Sequence, residues 1–406
     1  MTTDTPVFVG PPTRQISPWA WAHKNLFSNW LNTLLTIVSV LILGWVVIGL
    51  STWIFSQAQW AVIRDNFRLF LVGRYPVQAL WRVWASLGLI VAMGGISWGI
   101  LARNIRLLDR RGLLLLGILA ATVVIVLALL TDPRSIALSL GMLVLLVVLA
   151  FVGQRLGQAY PPLGTWLPLG WLVGFLIAYA LVRGLIGGGQ PVKLDDLSGL
   201  LLTLLTAIVS IVVSFPFGVL LALGRRSELP VVRWLSIAYI ELVRGLPLVT
   251  ILFAAQLLVP LVLPTGIRPE RVMRAIVGLT LFSAAYLAEN VRGGLQSVPR
   301  GQVEAAKALG LNPVLNTSLI VLPQALKAVI PTIVGQFISL FKDTSLLAIV
   351  GLTELLGMGQ SILANPQYIG KNAEVYAFIG LIYWICCYAM SIASQRLEKQ
   401  LGVTHR

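Results

Sequence analysis

Residues 299–323 read PRGQVEAAKALGLNPVLNTSLIVLP, a polar segment that separates two long apolar runs. Pro299 interrupts the preceding run, and the alanine-rich stretch Glu304–Leu309 predicts a short helix. Gly310 is expected to end this helix because glycine adopts the left-handed conformation of a helix C-terminus, and Pro313 follows. The sequence therefore predicts a small helix held between two longer apolar helices.

The composition indicates that these apolar helices lie in a membrane. Of the 406 residues, 57% are hydrophobic and only 11% are charged, whereas roughly 25% of the residues in a soluble domain are charged. Apolar runs of about 20 residues, enough to cross a bilayer, recur along the chain. They lack the alternation of barrel strands, so the predicted fold class is an all-α polytopic membrane protein. Ten spans are predicted, near 32–55, 83–102, 113–131, 136–152, 167–182, 199–223, 235–263, 274–291, 322–341 and 374–394.

The net charge of +15 would suggest nucleic-acid binding in a soluble protein. Here the Lys and Arg residues lie in the loops between apolar runs, where they orient the spans across the membrane. An orientation with the N-terminus inside places more of them in inner loops than in outer loops. The sequence therefore predicts a multi-pass protein with a cytoplasmic N-terminus and a cytoplasmic C-terminus.

A polar segment divides the chain into two parts. Residues 187–191 read GGGQP, and with Asp195 and Asp196 they predict a flexible linker. The linker separates an N-terminal extension, residues 1–198 with about five spans, from a C-terminal part, residues 199–406 with five spans.

One segment of the extension, near 56–82, is not predicted to cross the membrane. In it Trp60, Ile63, Phe67, Phe70 and Leu71 recur at helical spacing opposite Arg64, Asp65 and Arg68. This pattern predicts an amphipathic helix that lies on the outer membrane interface or packs on neighbouring spans.

Residues 299–323 resemble the EAA loop of ABC importer permeases. That loop has Glu-Ala-Ala, three residues, Gly, nine residues, Ile, one residue and Leu-Pro. The positions that fit this spacing are Glu304, Ala305, Ala306, Gly310, Ile320, Leu322 and Pro323. The resemblance implies that residues 304–310 form a coupling helix that inserts into a separate nucleotide-binding subunit. The implied coupling residues are Glu304, Ala305, Ala306, Leu309 and Gly310, of which Glu304 and Gly310 match the family pattern most directly.

Three further stretches resemble the polar amino-acid branch of that family. They are ELVRGLPL at 241–248, AYLAENVRGGLQSVPRGQ at 285–302 and FKDTSLLAIVGLTEL at 341–355, and the resemblance covers roughly 199–394. The extension is similar to the long membrane subunits of general and acidic amino-acid permeases.

The resemblance implies a transmembrane permease subunit of an ATP-driven importer for L-amino acids, located in the bacterial inner membrane. Its C-terminal part would be the five-helix core of a type I importer. The implied partners are a second, related permease subunit, two ATPase subunits and an extracytoplasmic amino-acid-binding protein. This chain itself would bind no cofactor, and the ATPase subunits would use ATP and Mg.

A first candidate for the substrate path lies at residues 342–345. Lys342, Asp343, Thr344 and Ser345 interrupt two apolar runs, and ionisable residues at membrane depth normally face a bundle interior or a water-filled cavity. Asp343, Thr344 or Ser345 can cap a helix that begins there, whose free N–H groups suit a substrate carboxylate while Asp343 suits an ammonium group. The alternative is a cap at the outer membrane boundary with a local Lys342–Asp343 pair.

A second candidate lies at the end of the eighth predicted span. Glu289, Asn290 and Arg292 there indicate an inner gate or vestibule, or an interfacial Glu289–Arg292 pair at helical spacing. In the preceding span, Pro247 predicts a kink that shapes the same vestibule.

Missing motifs argue against an enzyme. The sequence has no Gly-x-x-x-x-Gly-Lys-Ser/Thr run to hold a nucleotide phosphate, no His-Glu-x-x-His pair and no Gly-x-Ser-x-Gly turn. Cys386 and Cys387 are adjacent within an apolar run and suit neither a disulfide framework nor a metal site. Two alternatives remain: an ion-coupled secondary amino-acid transporter that uses Asp343 and Glu289, and a non-transporting membrane scaffold.

Overall fold

The computed structural model describes residues 17–102, 124, 133–188, 190–264 and 266–401, and it is helical almost throughout this part of the chain. The helices are α1 Pro18–Leu26, α2 Trp30–Thr52, α3 Ala61–Val72, α4 Leu80–Leu101, α5 Pro133–Ala159, α6 Leu163–Arg183, α7 Gly199–Arg225, α8 Pro230–Arg244, α9 Leu248–Val262, α10 Arg271–Ser297, α11 Arg300–Ala308, α12 Leu322–Asp343, α13 Leu355–Leu363 and α14 Asn372–Leu401. The all-α prediction is confirmed.

Within these residues, eight helices are long and apolar enough to cross a membrane, or nine if α8 and α9 count as one bent span. Each predicted span overlaps one of them except 113–131, which lies outside the described residues apart from residue 124. The helices α8 and α9 meet at an angle of 112°. The predicted kink is thus a complete break, because Pro247 adopts an extended backbone conformation and starts a new helix after Arg244.

The chain divides between Gln59 and Trp60 into two compact units. In the first unit, Ser17 caps α1 by accepting a hydrogen bond from the N–H of Ala20, and Asn29 caps α2 by accepting one from Asn32. No residue of α2 is buried within the structure, as expected for an apolar helix surrounded by lipid. The second unit contains α3 to α14.

The helices α4, α5 and α6 form a bundle, with α4 in the middle. Glycines let α4 and α5 approach closely: a Cβ built on Gly99 would lie 2.0 Å from the carbonyl oxygen of Ala150, and one built on Gly153 would lie 2.4 Å from that of Ile96. Gly95 and Gly99 in α4 form one pair of glycines four residues apart, and Gly153 and Gly157 in α5 form another. Such pairs bring membrane helices together where no hydrophobic effect operates.

We expect Gly99→Leu to separate α4 from α5, because its side chain would overlap the backbone of Ala150. The cost should be about 1–3 kcal/mol or more, measured as a lower thermal midpoint of the detergent-solubilised protein. Gly141→Leu is the matched control, since an added Cβ at Gly141 of α5 meets nothing within 4 Å. Equal midpoints for the two variants would contradict this packing.

The segment after α6 is not a flexible tether. Val192, Leu194 and Leu197 are buried, and Arg82 of α4 donates hydrogen bonds to backbone carbonyls of the segment, including that of Gln190 at 3.1 Å. The prediction of a flexible polar linker is therefore wrong for residues 192–198. The segment is polar in composition, but its few apolar residues are buried in the apolar cluster that also contains Leu252 and Leu279.

Asp195 in this segment caps α10 from outside the helix. Its carboxylate accepts hydrogen bonds from the N–H groups of Arg271 at 3.3 Å and Val272 at 3.1 Å. Glu270 in turn accepts one from the N–H of Asp195 at 3.1 Å, and it contacts Arg183 of α6 at 3.4 Å. These reciprocal bonds satisfy amides at the start of α10. We call this end of the second unit, with residues 184–198 and 263–270, the linker end.

At the opposite end, which we call the loop end, lie residues 226–229 and 298–321. Arg226 donates to the carbonyl of Leu295 at 3.2 Å, which holds the end of α7 against the end of α10. Between the two ends α7 and α10 pack side by side, and Gly218 lets α7 approach Leu287. The helices α8, α9 and α12 pack on α10.

The amphipathic helix predicted near 56–82 is α3. It packs against α7, α13 and α14, and Val62, Ile63 and Phe70 are buried in this contact. Phe70 lies edge-on to Phe378 of α14, with ring centroids 5.0 Å apart. The alternative in which this helix packs on neighbouring spans is confirmed.

Candidate functional site

The segment 299–321 forms the predicted short helix and its stop. The helix α11 starts after Pro299, and Gly310 ends it with a left-handed φ of 76°. The N–H of Gly310 donates to the carbonyl of Lys307 at 2.9 Å, and that of Leu311 donates to the carbonyl of Ala306 at 3.1 Å. These bonds satisfy carbonyls that the helix end would otherwise leave unpaired. A residue other than glycine would be strained at position 310.

One side of α11 faces its own loop and the other faces outward. Ala306 is 3% exposed and lies against the loop, and Asn316 donates to the carbonyl of Val303 at 3.4 Å. Glu304 and Ala305 are exposed, and Leu309 is 82% exposed. The helix therefore presents a surface of small, charged and apolar residues while it remains fixed to the loop.

A group of charged residues lies above this loop, where α7, α8 and α10 come together. The carboxylate of Glu289 forms an ion pair with Arg292 one helical turn later, and its Oε2 lies 3.5 Å from Arg244 and 3.6 Å from Arg225. Arg225 also contacts Glu241 at 2.8 Å. The predicted Glu289–Arg292 pair is confirmed, but it belongs to a network of three arginines and two glutamates.

Glu289 occupies the centre of this network. Its side chain is 22% exposed, against 55% for Glu241. Arg244 also lies over the ring of Tyr286, with 5.6 Å between the guanidinium carbon and the ring centroid. Asn290, the other candidate path residue of α10, is half-buried. The network can hold the three helices together or interact with a charged solute.

The first candidate segment differs from its prediction. Asp343 is the last residue of α12, and the residues after it form a 3₁₀ turn, Thr344–Ala348, without a side-chain cap. Thr344 donates back to the carbonyl of Phe341 at 2.7 Å, and Asp343 and Ser345 are half-buried. A short 3₁₀ helix does begin at Thr344, but it continues directly from α12 and no side chain caps it. The prediction that Asp343, Thr344 or Ser345 caps a new helix is therefore wrong.

The helix that begins beyond this turn is α13, and Glu354 caps it. One carboxylate oxygen of Glu354 accepts from the N–H of Gly357 and the other from that of Leu356, each at 2.9 Å. The second oxygen also accepts from the hydroxyl of Tyr383 at 3.1 Å and from that of Thr203 at 3.4 Å. Glu354 is 0% exposed, so all its bonds are made inside the protein.

Sequence reasoning missed Glu354. The only signal is an acidic residue directly before an apolar helix, which resembles many N-caps. Its burial depends on Thr203 in α7 and Tyr383 in α14, residues that lie far away in sequence.

We expect Glu354→Ala to lower the stability of the protein by about 2–4 kcal/mol, because it removes a helix cap and leaves buried donors unpaired. The loss should appear as a lower thermal midpoint in detergent. The control is Gln360→Ala in the same helix, where the side chain is exposed. A midpoint as high as that of the control would contradict the role of Glu354.

The two candidate path segments lie at different levels of the bundle. Leu340 and Leu347, which flank Asp343, belong to the apolar cluster that includes residues of the linker segment. Leu287 and Val291, which flank Glu289, belong to a cluster near the loop end. The candidates therefore mark two positions along the bundle and not one pocket.

Residues 214–403 match the family model described as "Binding-protein-dependent transport system inner membrane component". The chain is 37% identical over 421 residues to the inner membrane amino-acid ABC transporter permease protein YhdY of Escherichia coli, with 98% of each chain covered. It is 36% identical over 433 residues to the glutamate/glutamine/aspartate/asparagine transport system permease protein BztC of Rhodobacter capsulatus, which covers 97% of this chain and 96% of that one.

A shorter relative matches only part of the chain. The probable glutamine ABC transporter permease protein GlnP of Bacillus subtilis is 38% identical over 200 residues, which are 49% of this chain and 90% of that one. Nothing in these comparisons supports the ion-coupled alternative. The matches over nearly the full length are to transport subunits of systems whose ATPase is a separate component. The chain therefore belongs to the family of binding-protein-dependent inner-membrane permeases and is a transmembrane permease subunit of an ABC transporter.

Proposed function

We propose that this permease imports L-amino acids and that α11 couples it to its ATPase. One observation carries the coupling: α11 is fixed to the loop through Ala306 and presents Glu304, Ala305, Leu309 and Gly310 outward. Leu309 is 82% exposed, and a large apolar side chain that projects from the end of an alanine-rich helix suits a groove on a partner protein.

The position of α11 in the chain supports a mechanical role. It begins at Arg300, directly after α10 ends at Ser297, and it leads through residues 313–321 into α12. A displacement of α11 by the ATPase therefore pulls on both helices. Since Glu289 of α10 contacts Arg225 and Arg244, the displacement would extend to α7 and α8. Rigid helices that move together in this way switch a transporter between inward-open and outward-open states.

The proposed substrate class is L-amino acids. The names of the relatives support it, and so do the charges of the candidate path residues: Asp343 and Glu289 suit an ammonium group, and Arg244 and Arg292 suit a carboxylate. Thr344, Ser345 and Asn290 add hydrogen-bonding groups. We propose that the path runs past these residues and that a second, related permease subunit completes it.

We further propose that two ATPase subunits bind at the loop end and that an extracytoplasmic amino-acid-binding protein delivers the substrate at the linker end. The loop end would then be cytoplasmic, with the C-terminus on the same side. The packing of α14 on α12 supports this, because Tyr383 lies beside Phe341 near the end of α12, with ring centroids 5.3 Å apart. The N-terminus is proposed to be cytoplasmic as well.

Reconstitution tests the proposed function. Proteoliposomes are prepared with this permease, its second permease subunit, the ATPase and the binding protein. They should take up a radiolabelled L-amino acid only when ATP and Mg are present on the side of the membrane where the ATPase is bound. Vesicles without the ATPase should show no uptake, even with a proton or sodium gradient. Gradient-driven uptake without the ATPase would contradict the proposal, and so would ATPase binding without substrate-stimulated hydrolysis.

Asp343→Asn should lower amino-acid uptake and leave assembly with the ATPase intact, because the change removes a charge proposed to face the path and lies far from α11. We expect about a tenfold loss of uptake, equivalent to roughly 1.4 kcal/mol. Lys371→Gln serves as a control, since Lys371 lies in the loop before α14. Unchanged uptake kinetics in Asp343→Asn would remove Asp343 from the path.

A further inference from the structure

We infer that residues 74–197 are a membrane module inserted into the permease core, and that α3 belongs to the core and not to an N-terminal extension. The core would then consist of α3 and of α7 to α14. This organisation differs from a simple division of the chain at residue 198, and it goes beyond the proposed transport function.

The two ends of the segment meet at one point. The N–H of Arg74 donates a hydrogen bond to the hydroxyl of Ser198 at 2.8 Å. A Cβ built on Gly73 would lie 1.9 Å from that hydroxyl oxygen, and a Cβ built on Gly199 would lie 2.7 Å from the carbonyl oxygen of Phe70. Both glycines have positive φ, 55° and 64°. The chain thus leaves the core at Gly73 and returns at Ser198, and only glycines permit so close an approach.

The helix before the segment is part of the core. Val62, Ile63 and Phe70 of α3 are 2%, 2% and 0% exposed. The residues around them come from the last part of the chain: Leu355, Met358, Ile362, Val375 and Ile379. Burial of three such apolar side chains stabilises the contact. Without α3, this apolar surface of α13 and α14 would be uncovered.

The connection with α13 is also made by backbone atoms. The N–H of Gly199 donates to the carbonyl of Thr353 at 2.8 Å, directly before the capping residue Glu354. The end of α3, the start of α7 and the start of α13 therefore meet where the segment leaves and returns. Thr203, one turn into α7, donates to Glu354 and accepts from the N–H of Leu355 at 3.1 Å.

The helices of the segment pack mainly on one another. In the part of it that the structure describes, α4 contacts α5 through the glycine pairs and contacts α6 along its length. Trp171 of α6 donates to Ser97 of α4 at 3.0 Å, and Ser86 of α4 donates to the carbonyl of Ala178 at 3.1 Å. Contact with the core is concentrated at the linker end, where Val182 joins the neighbouring apolar cluster.

Two further observations agree with an insertion. The sequence predicts an even number of spans between Gly73 and Ser198. Removal of residues 74–197 therefore leaves all the remaining spans in their original orientation across the membrane. The half-length relative from Bacillus subtilis is matched over 90% of its length by half of this chain, which indicates that a permease of this family does not require the rest.

Two deletions of matched design test the inference. In the first, residues 74–197 are removed and Gly73 is joined to Ser198; in the second, residues 1–197 are removed and a start Met is placed before Ser198. They differ only in residues 1–73, which include α3. Each is co-expressed with the second permease subunit and the ATPase, and the yield of monodisperse complex and its binding-protein-stimulated ATP hydrolysis are measured.

We expect the first deletion to give at least a fivefold higher yield than the second and to retain stimulated hydrolysis within about threefold of the full-length chain. A yield no higher than that of the second deletion would overturn the inference, whether or not either complex is active. Both deletions lack the same module and keep α11. If α11 does not couple the permease to the ATPase, both variants lose stimulated ATP hydrolysis, which contradicts the proposed function, but the difference in yield between them remains.

A crosslink in the full-length chain tests the meeting of the two ends directly. Arg74→Cys and Ser198→Cys are combined with Cys386→Ala and Cys387→Ala, which remove the native thiols. We expect the two thiols to form a disulfide in air-equilibrated buffer, where dissolved oxygen accepts the two electrons, and both thiols should then resist alkylation until a reductant is added. Free thiols in the double variant, as in each single variant, would overturn the inference.

Discussion

Replacing Leu309 with aspartate is expected to abolish coupled ATP hydrolysis while the permease itself remains folded. The side chain is 82% exposed in the isolated chain, so the substitution removes no internal contact. In the complex we propose that it fills a groove of the ATPase, where an interfacial anchor contributes about 2 kcal/mol or more. The affinity for the ATPase should therefore fall about 30-fold or more, as measured by titration of the ATPase against the permease in nanodiscs.

The control for this prediction is Ile369→Asp. Ile369 is also an exposed apolar residue, at 70%, but it lies between α13 and α14, away from α11. Its replacement should leave ATPase binding unchanged. If both variants bind the ATPase as tightly as the parent chain, Leu309 is not an anchor.

Glu289→Gln is expected to weaken the loop end of the bundle and to stop uptake. The carboxylate lies between Arg225, Arg244 and Arg292, and its loss leaves three guanidinium groups close together without a shared counter-charge. Removal of one partner from a buried ion pair costs roughly 3–5 kcal/mol, and the 22% exposure of this side chain lowers the expected cost to about 1–3 kcal/mol. Thermal unfolding in detergent measures the loss.

Glu241→Gln is the matched control for Glu289→Gln, because it removes the same charge from the edge of the network and not from its centre. Glu241 forms an ion pair with Arg225 at 2.8 Å and is 55% exposed, so its loss should cost less than about 1 kcal/mol. Uptake should fall far more in Glu289→Gln than in Glu241→Gln. Equal effects of the two changes on both stability and uptake would contradict the central position of Glu289.

The coupling helix and the spans could be predicted because their signals are local. Gly310 ends α11 with a φ of 76°, as expected from a glycine after an alanine-rich stretch and before Pro313. The spans follow from the length and apolarity of each run. The break between α8 and α9 was only partly predicted: Pro247 indicated a kink, but the angle of 112° depends on how both halves pack against α10.

Features that depend on distant residues could not be predicted. Asp343, Thr344 and Ser345 seemed suitable caps in sequence, yet Glu354 caps the next helix because Thr203 and Tyr383 surround it. The linker residues seemed flexible, but Asp195 binds the start of α10. In each case a residue that is ordinary in sequence gains its role from a contact more than 25 residues away, as the pairing of Tyr383 with Glu354 illustrates.

The close packing of α4 on α5 has a signal in the sequence. Gly95 and Gly99 in α4, like Gly153 and Gly157 in α5, are separated by four positions, a spacing that favours close helix pairs in membranes. This pattern marks the bundle that we infer to be an insertion.

The central claim is that α11 contacts the ATPase on the cytoplasmic side. The most direct measurement is site-specific crosslinking from Glu304→Cys, with Cys386→Ala and Cys387→Ala, in the assembled complex in sealed vesicles of known orientation. The account predicts a crosslink to the ATPase and labelling of the new thiol only by reagents on the cytoplasmic side. Labelling from the extracytoplasmic side, or no crosslink to the ATPase in a complex that hydrolyses ATP in response to substrate, would contradict it.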